Sequence, residues 1–355
     1  NGPFFVPKRL TDAVCAGFPS DQKGQKREER ANLTEKLDWN SASNFKNPKD
    51  DFAETPWYLI KDFHPERGDI KSVWEKNRFS WALDLALDSL AKNHSAETAL
   101  NEVICDWTKA NPPFKGLNWK CAQEASIRVI HLSVCSLLLE QTHEPTPNLL
   151  GLLESHLARV TATTGYSLSQ DNNHSISESV ALFIGGFMVG GVKSRHHQKG
   201  RTILEQSVAR LVQTDGSFSQ HSTVYHRLLL DLCSIAEVWR KKHDLPKFSP
   251  NFYKKIKDAT IWMYEFTDLM SGDAPNLGHN DGTLINNLTR SSNRDFRPSL
   301  QLASNLFADG RAIAKKGPWD RHVKLLGLKR KVNILHQKQS VQFPDGGFSI
   351  IRNKK

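Results

Sequence analysis

The stretch from Asp171 to Arg227 decides how the chain is interpreted. It begins with Asp171-Asn172-Asn173-His174, continues through a mostly apolar run of helical texture, and ends with SFSQHSTVYHR over residues 217–227. Amide, imidazole and phenol groups are therefore expected at the ends of helices, where they can face one cleft. Such groups can neutralise a carboxylate and move a proton beside it, whereas a hydrolytic glycosidase requires two flanking carboxylates.

Helical periodicity extends outward from this stretch over about residues 71–325. The predicted helices cover approximately 74–90, 96–110, 118–141, 147–163, 175–190, 198–213, 222–243, 250–271 and 298–309. Their short connections, marked by Gly, Pro or Asn, suggest antiparallel helix pairs. The pairs can close into a toroid or form an open solenoid, and the absence of a strict repeat weighs against a regular solenoid.

The two ends of the chain differ from this middle part. Residues 1–70 are rich in Pro, Asp, Lys and Asn, which predicts an irregular N-terminal segment with short helices. After Lys331, two apolar segments flank the turn residues Pro344-Asp345-Gly346-Gly347, a pattern typical of a β-hairpin. Because a lone hairpin is marginally stable, we expect residues 332–355 to begin a β-domain that this chain does not complete. The predicted domains are thus 1–70, 71–325 and 332–355.

The composition restricts the class of protein without naming a partner. The 355 residues carry a formal charge of +10, and hydrophobic residues make up 38%, enough to build a core. A basic surface attracts polyanions, so nucleic acid and acidic polysaccharide both fit, as does a charge that serves only solubility. The nine Trp leave aromatic rings for stacking on sugars. We find no apolar run of about 18–20 residues and no signal peptide, so no membrane span is predicted.

Cysteine spacing and short motifs give no sign of a metal or a cofactor. The five Cys, at 15, 105, 121, 135 and 233, form no C-x-x-C pair, and their number is odd. Buried free thiols are therefore favoured over disulfides and metal ligands. No Walker motif, G-x-G-x-x-G, H-E-x-x-H or G-x-S-x-G occurs. We predict no metal and no cofactor.

The triplet Asn172-Asn173-His174 has two interpretations. In the first, it only starts a helix, with Asn172 as the N-cap and Asp171 at the positive end of the dipole. In the second, Asn173 and His174 lie in a first turn whose backbone N–H groups already favour an anion, and form a carboxylate pocket.

The pair Tyr225-His226 also allows two interpretations. Ser222 can cap the helix that carries them, and helical spacing puts Ser222 and His226 on one face. The pair is either half-buried and satisfied in an amphipathic helix, or it acts as a proton donor and acceptor.

Two further groups of residues are candidates for binding. Asn118-Trp119 leads into Glu124 and Arg128, which at i,i+4 can form a surface salt bridge. Alternatively, Trp119 stacks on a sugar and Arg128 meets a carboxylate. The loop from Pro275 to Gly282, which contains His279 and Asn280, is either a connector or a cleft lining.

Taken in order, these residues resemble the heparinase II/III family of polysaccharide lyases. The resemblance covers roughly residues 70–350. The matching segments are 74–79 (WEKNRF), 111–112 (NP), 116–119 (GLNW), 124–128 (EASIR), 172–174 (NNH), 215–218 (DGSF), 222–227 (STVYHR) and 278–282 (GHNDG). The family has Asp more often at the position of His279.

The resemblance implies a mainly α fold, an incomplete (α/α) toroid followed by an antiparallel β-sandwich. It implies β-elimination on a uronic-acid polysaccharide, in a periplasmic or secreted location. Asn173, helped by His174, would neutralise the uronate carboxylate, and Tyr225 would protonate the leaving oxygen with His226 beside it. Asn118, Trp119, Arg128, Asn172, His279 and Asn280 would bind substrate, and the β-sandwich would carry a further catalytic His or Tyr.

A non-catalytic module that binds an acidic glycan in a surface-polysaccharide pathway is the alternative. It would use the same residues without cleaving the chain. Nucleic-acid binding rests on charge alone and is not predicted.

Overall fold

The computed structural model describes residues 2–6, 52–91 and 93–353. These residues are mainly helical, and their only strands form two short antiparallel pairs. The mainly α class is thereby confirmed. The chain divides into two compact units, Asn1–Val160 and Thr161–Lys355, and this boundary falls inside the predicted helical domain 71–325. Most of the predicted irregular segment, residues 7–51, lies outside the described residues.

The first unit contains a small hairpin followed by helices. Its strands are β1 (Phe63–His64) and β2 (Gly68–Asp69). Its helices are α1 (Lys71–Trp74), α2 (Ser80–Leu90), α3 (His94–Ala110), α4 (Ala122–Leu138) and α5 (Pro147–Ala162), which ends just beyond the boundary. Two 3₁₀ turns, Glu75–Asn77 and Leu117–Trp119, precede α2 and α4.

Phe79 explains why α2 begins later than the periodicity predicts. Its φ of 64° is left-handed, which ends one helical segment before Ser80 starts the next. The Phe79 ring is fully buried and packs edge-on against Trp107 at 4.8 Å between ring centroids. Apolar burial of this side chain offsets the backbone cost, because a buried aromatic ring contributes more than a strained φ removes.

The second unit contains the longest helices and a C-terminal hairpin. Its helices are α6 (Thr164–Ser169), α7 (Asn173–Gly190), α8 (Arg195–Leu211), α9 (Thr223–Lys242), α10 (Pro250–Phe266), α11 (Arg297–Phe307) and α12 (Arg321–Leu325). Its strands are β3 (Val341–Phe343) and β4 (Phe348–Ile350), with Phe343 opposite Phe348. The predicted hairpin is confirmed.

Two glycines bring α7 and α8 into backbone contact. A Cβ on Gly200 would lie 2.3 Å from the backbone N of Phe183, and one on Gly186 would lie 2.5 Å from the backbone N of His197. Residues 173–193, which include α7, are long and apolar enough to cross a membrane by length and composition. Most of that stretch is buried inside the protein, as expected of a core helix. No such span was predicted from the sequence.

The C-terminal hairpin is fastened to the loop between α8 and α9 by two aspartates that act reciprocally. The Asp215 carboxylate accepts the N–H of Gly346 at 3.0 Å, and the Asp345 carboxylate accepts the N–H of Thr214 at 3.1 Å. Burial alone would raise the pKa of Asp215. Hydrogen bonds from Ser217, Gly346 and Asp345 outweigh this effect, so the pKa of Asp215 lies below its ordinary value. Each turn therefore holds the other in place.

The four described cysteines are free thiols. Cys135 and Cys233 are buried, while Cys105 and Cys121 are partly exposed. Burial raises the pKa of the Cys135 and Cys233 thiols, so both stay protonated and inert.

Candidate functional site

The start of α7 is built as the sequence predicts. Asn172 is the N-cap, and its side-chain oxygen accepts the N–H of His174 at 2.9 Å. Asp171 precedes it with a left-handed φ of 48° and forms a 2.7 Å ion pair with Arg210. The chain therefore turns sharply into the helix, and the positive end of the helix dipole lies at Asn173 and His174.

Asn173 has an unusual environment at this helix start. Its side chain is 4% exposed, and among the described residues no hydrogen-bond partner lies within reach of its Nδ2. A buried amide donor without a partner costs about 1–3 kcal/mol, so most proteins avoid one. The donor is of the type that a carboxylate would satisfy.

The start of α9 has the same construction as the start of α7. His221 has a left-handed φ of 49°, and the next residue, Ser222, is the N-cap. The Ser222 hydroxyl accepts the N–H of Tyr225 at 3.2 Å, as predicted. Tyr225 lies in the first turn, half-buried. Both helices thus present polar side chains immediately after a strained residue and a cap.

Gln220 joins the two helix starts. Its side-chain oxygen accepts the backbone N–H of Asn173 at 2.9 Å, and Gln220 stands directly before His221 and the Ser222 cap. The first turn of α7 is therefore held to the loop that leads into α9. His174 is half-buried on the same first turn. The two helix starts are therefore tied together within the second unit.

The loop from Pro275 to Gly282 lies across the start of α9. The Ser222 hydroxyl donates to the His279 carbonyl at 2.6 Å, and the Tyr225 phenol donates to the Asp281 carboxylate at 3.0 Å. The ring of His279 lies beside the ring of Tyr225, at 6.4 Å between centroids. Asn280 is exposed. Its side-chain N–H donates to the side-chain oxygen of Asn276, and its side-chain oxygen accepts the backbone N–H of Gly282. The loop is thus more than a connector.

His226 lies in the interior, so the adjacent Tyr225 and His226 do not share a surface. Its Nε2 donates to the Ala259 carbonyl at 2.8 Å, and its ring stacks on Trp262 at 4.2 Å. Burial lowers the pKa of His226 to about 4. From this position the imidazole stays neutral and packs α9 against α10, which agrees with the alternative in which it is satisfied.

Asn118, Trp119 and Arg128 lie in the interior of the first unit. Trp119 is 1% exposed, whereas a ring must be accessible to stack on a sugar. Arg128 is fully buried; its Nε donates to Nε2 of His156 at 2.9 Å, and its Nη2 donates to the Asn118 carbonyl at 2.7 Å. Burial lowers the pKa of Arg128 to about 10, which still leaves the guanidinium charged at neutral pH.

Glu124 does not form the surface salt bridge with Arg128 that the spacing suggests. It is buried, and it accepts two hydrogen bonds of 2.8 Å from Arg78 instead. A bidentate pair of this kind is stronger than an exposed i,i+4 pair. The spacing rule fails here because α4 is buried nearly all round, so a partner from another segment replaces the local one.

Two site residues were not singled out from the sequence, Gln220 and Asp281. Each stands inside a segment whose polar character was noted, but their partners are 47 and 56 residues away along the chain. Among the residues described, no group of three or more His, Cys, Asp or Glu side chains is placed to hold a metal ion.

Comparison with known proteins adds no relative. No protein-family model, curated protein or solved structure matches the chain. The geometry of the second unit is therefore the basis for a functional proposal.

Proposed function

We propose that the chain is a polysaccharide lyase that cleaves a uronic-acid-containing acidic glycan by β-elimination. The observation that carries the proposal is the unpartnered Nδ2 of Asn173, at a helix start that Gln220 ties to the loop before Tyr225. An amide donor for a carboxylate and a phenol for a leaving oxygen are the two groups that this reaction needs near each other.

In the reaction, the uronate carboxylate is neutralised so that the proton at C5 becomes more acidic. A base takes that proton, the C5–H electron pair forms the C4–C5 double bond, and the C4–O bond breaks. The leaving oxygen takes the phenolic proton of Tyr225, and the proton held by the base later restores the phenol. The balance requires no water and no oxidant.

Each role falls to a residue of the second unit. Asn173 binds the carboxylate, with His174 and Asn172 at the same helix start; its side chain has to turn outward, because Nδ2 itself is buried. Tyr225 is the proton donor. His279 is assigned as the base, because a neutral imidazole has one ring nitrogen that can accept a proton and its ring lies beside that of Tyr225. His226 has no role in proton transfer.

The resemblance to heparinase II/III lyases supports the same reading and extends it to the fold. We propose that the helix pairs belong to an incomplete (α/α) toroid and that β3 and β4 begin a β-sandwich. A periplasmic or secreted location fits a polysaccharide substrate. An experimental structure in which the helix pairs form an open stack would contradict the toroid and leave the site untouched.

The test is a screen of the chain against uronate polymers, including heparan sulfate, hyaluronan and alginate. A lyase raises the ultraviolet absorbance because it creates an unsaturated uronate end. Tyr225→Phe should lower kcat by about 10²–10⁴-fold with little change in KM, because only the proton donor is lost. Asn173→Ala should cost about 2.7–4 kcal/mol, as for one oxyanion-hole donor.

Two outcomes would contradict the proposal. Full activity in folded Tyr225→Phe would remove the mechanism. Binding of an acidic glycan without any rise in absorbance would instead identify a non-catalytic glycan-binding module.

A further inference from the structure

We propose that Asp281 is a positioning residue that orients the phenol of Tyr225 for proton donation. This inference rests on the proposed function. Its starting observation is the 3.0 Å hydrogen bond from the Tyr225 hydroxyl to Oδ2 of Asp281. A carboxylate accepts a stronger hydrogen bond than a neutral oxygen does, so it restricts the hydroxyl more firmly.

The Asp281 carboxylate is itself held in place by its own turn. Its Oδ1 accepts the backbone N–H of Thr283 at 3.1 Å, which leaves Oδ2 directed at the phenol. The Thr283 carbonyl in turn accepts a 2.7 Å hydrogen bond from the buried guanidinium of Arg227, which lies two residues after Tyr225 on α9. The charges of Arg227 and Asp281 also attract each other. Helix α9 therefore fixes both the phenol and its acceptor.

The loop that carries Asp281 is fastened to α9 at three other points. Thr223 makes two of these contacts: its N–H donates to the Leu277 carbonyl at 3.3 Å, and its hydroxyl donates to the Pro275 carbonyl at 2.9 Å. The third is the bond from the Ser222 hydroxyl to the His279 carbonyl at 2.6 Å. Gly278 permits this close approach: its φ is 63°, and a Cβ there would lie 2.4 Å from the His221 carbonyl oxygen. The acceptor is thus preorganised.

Orientation matters for this reaction because the phenol oxygen must lie within reach of one oxygen of the substrate; the hydroxyl then turns its single proton from Asp281 to that leaving oxygen. A free phenol samples other directions, and a small misplacement of a reacting group can cost on the order of 10²-fold in rate. Asp281→Ala should therefore lower kcat by about 10–100-fold while KM changes little. Asp281→Asn can keep its Oδ1 on the Thr283 N–H and donate from its amide N–H to the phenol oxygen, so a hydrogen bond still holds the phenol and most of the rate should return.

A double-mutant cycle separates a positioning role from a general structural one. Tyr225→Phe, Asp281→Ala and the double variant are compared by kcat, with folding checked by thermal denaturation. If Asp281 acts through Tyr225, the double variant should be no slower than Tyr225→Phe alone, because the group that Asp281 orients is already gone. Asp309→Ala, which removes an exposed carboxylate paired with Lys257, is the matched control and should keep full activity.

Three results would overturn the inference. They are unchanged kcat in Asp281→Ala, losses that multiply in the double variant, or an Asp281→Asn variant as slow as Asp281→Ala. Should Asp281→Ala fail to fold, Asp281→Leu, which also removes the acceptor, gives the same comparison in the wild-type and Tyr225→Phe backgrounds, and an equal loss in both backgrounds contradicts the inference. A wild-type chain that cleaves no uronate glycan refutes the proposed function and this inference together. An active wild-type chain with normal Asp281 variants refutes the inference alone.

Discussion

The side-chain oxygen of Gln220 accepts the backbone N–H of Asn173 at 2.9 Å, and this bond joins the starts of α7 and α9. Both helices begin in the same way, with a left-handed residue followed by a polar cap. Each start alone is an ordinary helix terminus, whose first N–H groups need a partner. The bond ties the start of α7 to the residues that lead into α9, and the proposed site depends on it.

Replacing Gln220 should therefore weaken the site more than the fold. Gln220→Ala removes one hydrogen bond, which costs about 0.5–1.5 kcal/mol of unfolding free energy. We expect kcat on a uronate glycan to fall at least about tenfold, because Asn173 and Tyr225 lose their shared anchor. Gln213→Ala, another partly buried glutamine of the same loop, is the comparison. Equal kinetic losses in the two variants would argue against a specific role for Gln220.

Local rules predicted the helices well and the polar contacts poorly. The caps Asn172 and Ser222, the helices around them and the hairpin at Pro344–Gly347 follow from short-range spacing, and all are found. These features depend on neighbours within a few residues, which a sequence displays directly.

The failures share one physical cause, competition from distant partners. Arg128 and Glu124 stand at salt-bridge spacing, yet both are buried and bind other partners. Arg128 donates a hydrogen bond to His156, and Glu124 accepts one from Arg78. His226 stands beside Tyr225, but helical geometry turns adjacent side chains about 100° apart, and His226 turns inward. The sequence showed which groups were polar, not which of them the core would enclose.

His226 should contribute to stability and not to catalysis. Burial lowers its pKa to about 4, below the ordinary value near 6.5, so the unfolded chain binds a proton more readily. The contribution of neutral His226 is therefore present above about pH 6.5 and is lost as the pH falls toward 4. His226→Phe keeps the stack on Trp262 and should flatten this dependence in urea titrations at several pH values.

The same variant checks the assignment of roles at the site. His226→Phe leaves the Ala259 carbonyl without its donor, at a cost of about 1–3 kcal/mol, but should retain kcat wherever it is folded. A folded His226→Phe protein with little activity would contradict this assignment and indicate that His226 takes part in proton transfer.

The contact between α7 and α8 requires glycine at position 200. Gly200→Ala would bring Cβ to 2.3 Å from the backbone N of Phe183 and to 2.7 Å from the Ser179 carbonyl oxygen, so the helices must separate. Overpacking of this kind costs about 1–3 kcal/mol or more, measurable as a lower urea midpoint. Gly165→Ala in α6 meets nothing within 4 Å and should be neutral or stabilising by about 0.5–1 kcal/mol. Equal midpoints for the two variants would contradict the close packing.

The buried Asp231 in α9 should make stability fall as the pH rises toward neutrality. Burial raises its pKa to about 7, although the nearby Arg227 guanidinium opposes the rise. The ordinary value in an unfolded chain is about 3.9, so between about pH 4 and pH 7 the folded chain holds the extra proton. Its stabilising contribution is complete below about pH 4 and is lost by about pH 7.

Asp231→Asn removes this titration and tests its sign. The quantity to compare is the unfolding free energy of the wild type minus that of Asp231→Asn. This difference should be smaller at about pH 8 than at about pH 4.5, by on the order of 1–4 kcal/mol. Asp244→Asn, at an exposed carboxylate, provides the control for denaturation at both pH values. A difference that stays constant or grows with pH would show that Arg227 holds Asp231 ionised throughout, as a buried ion pair.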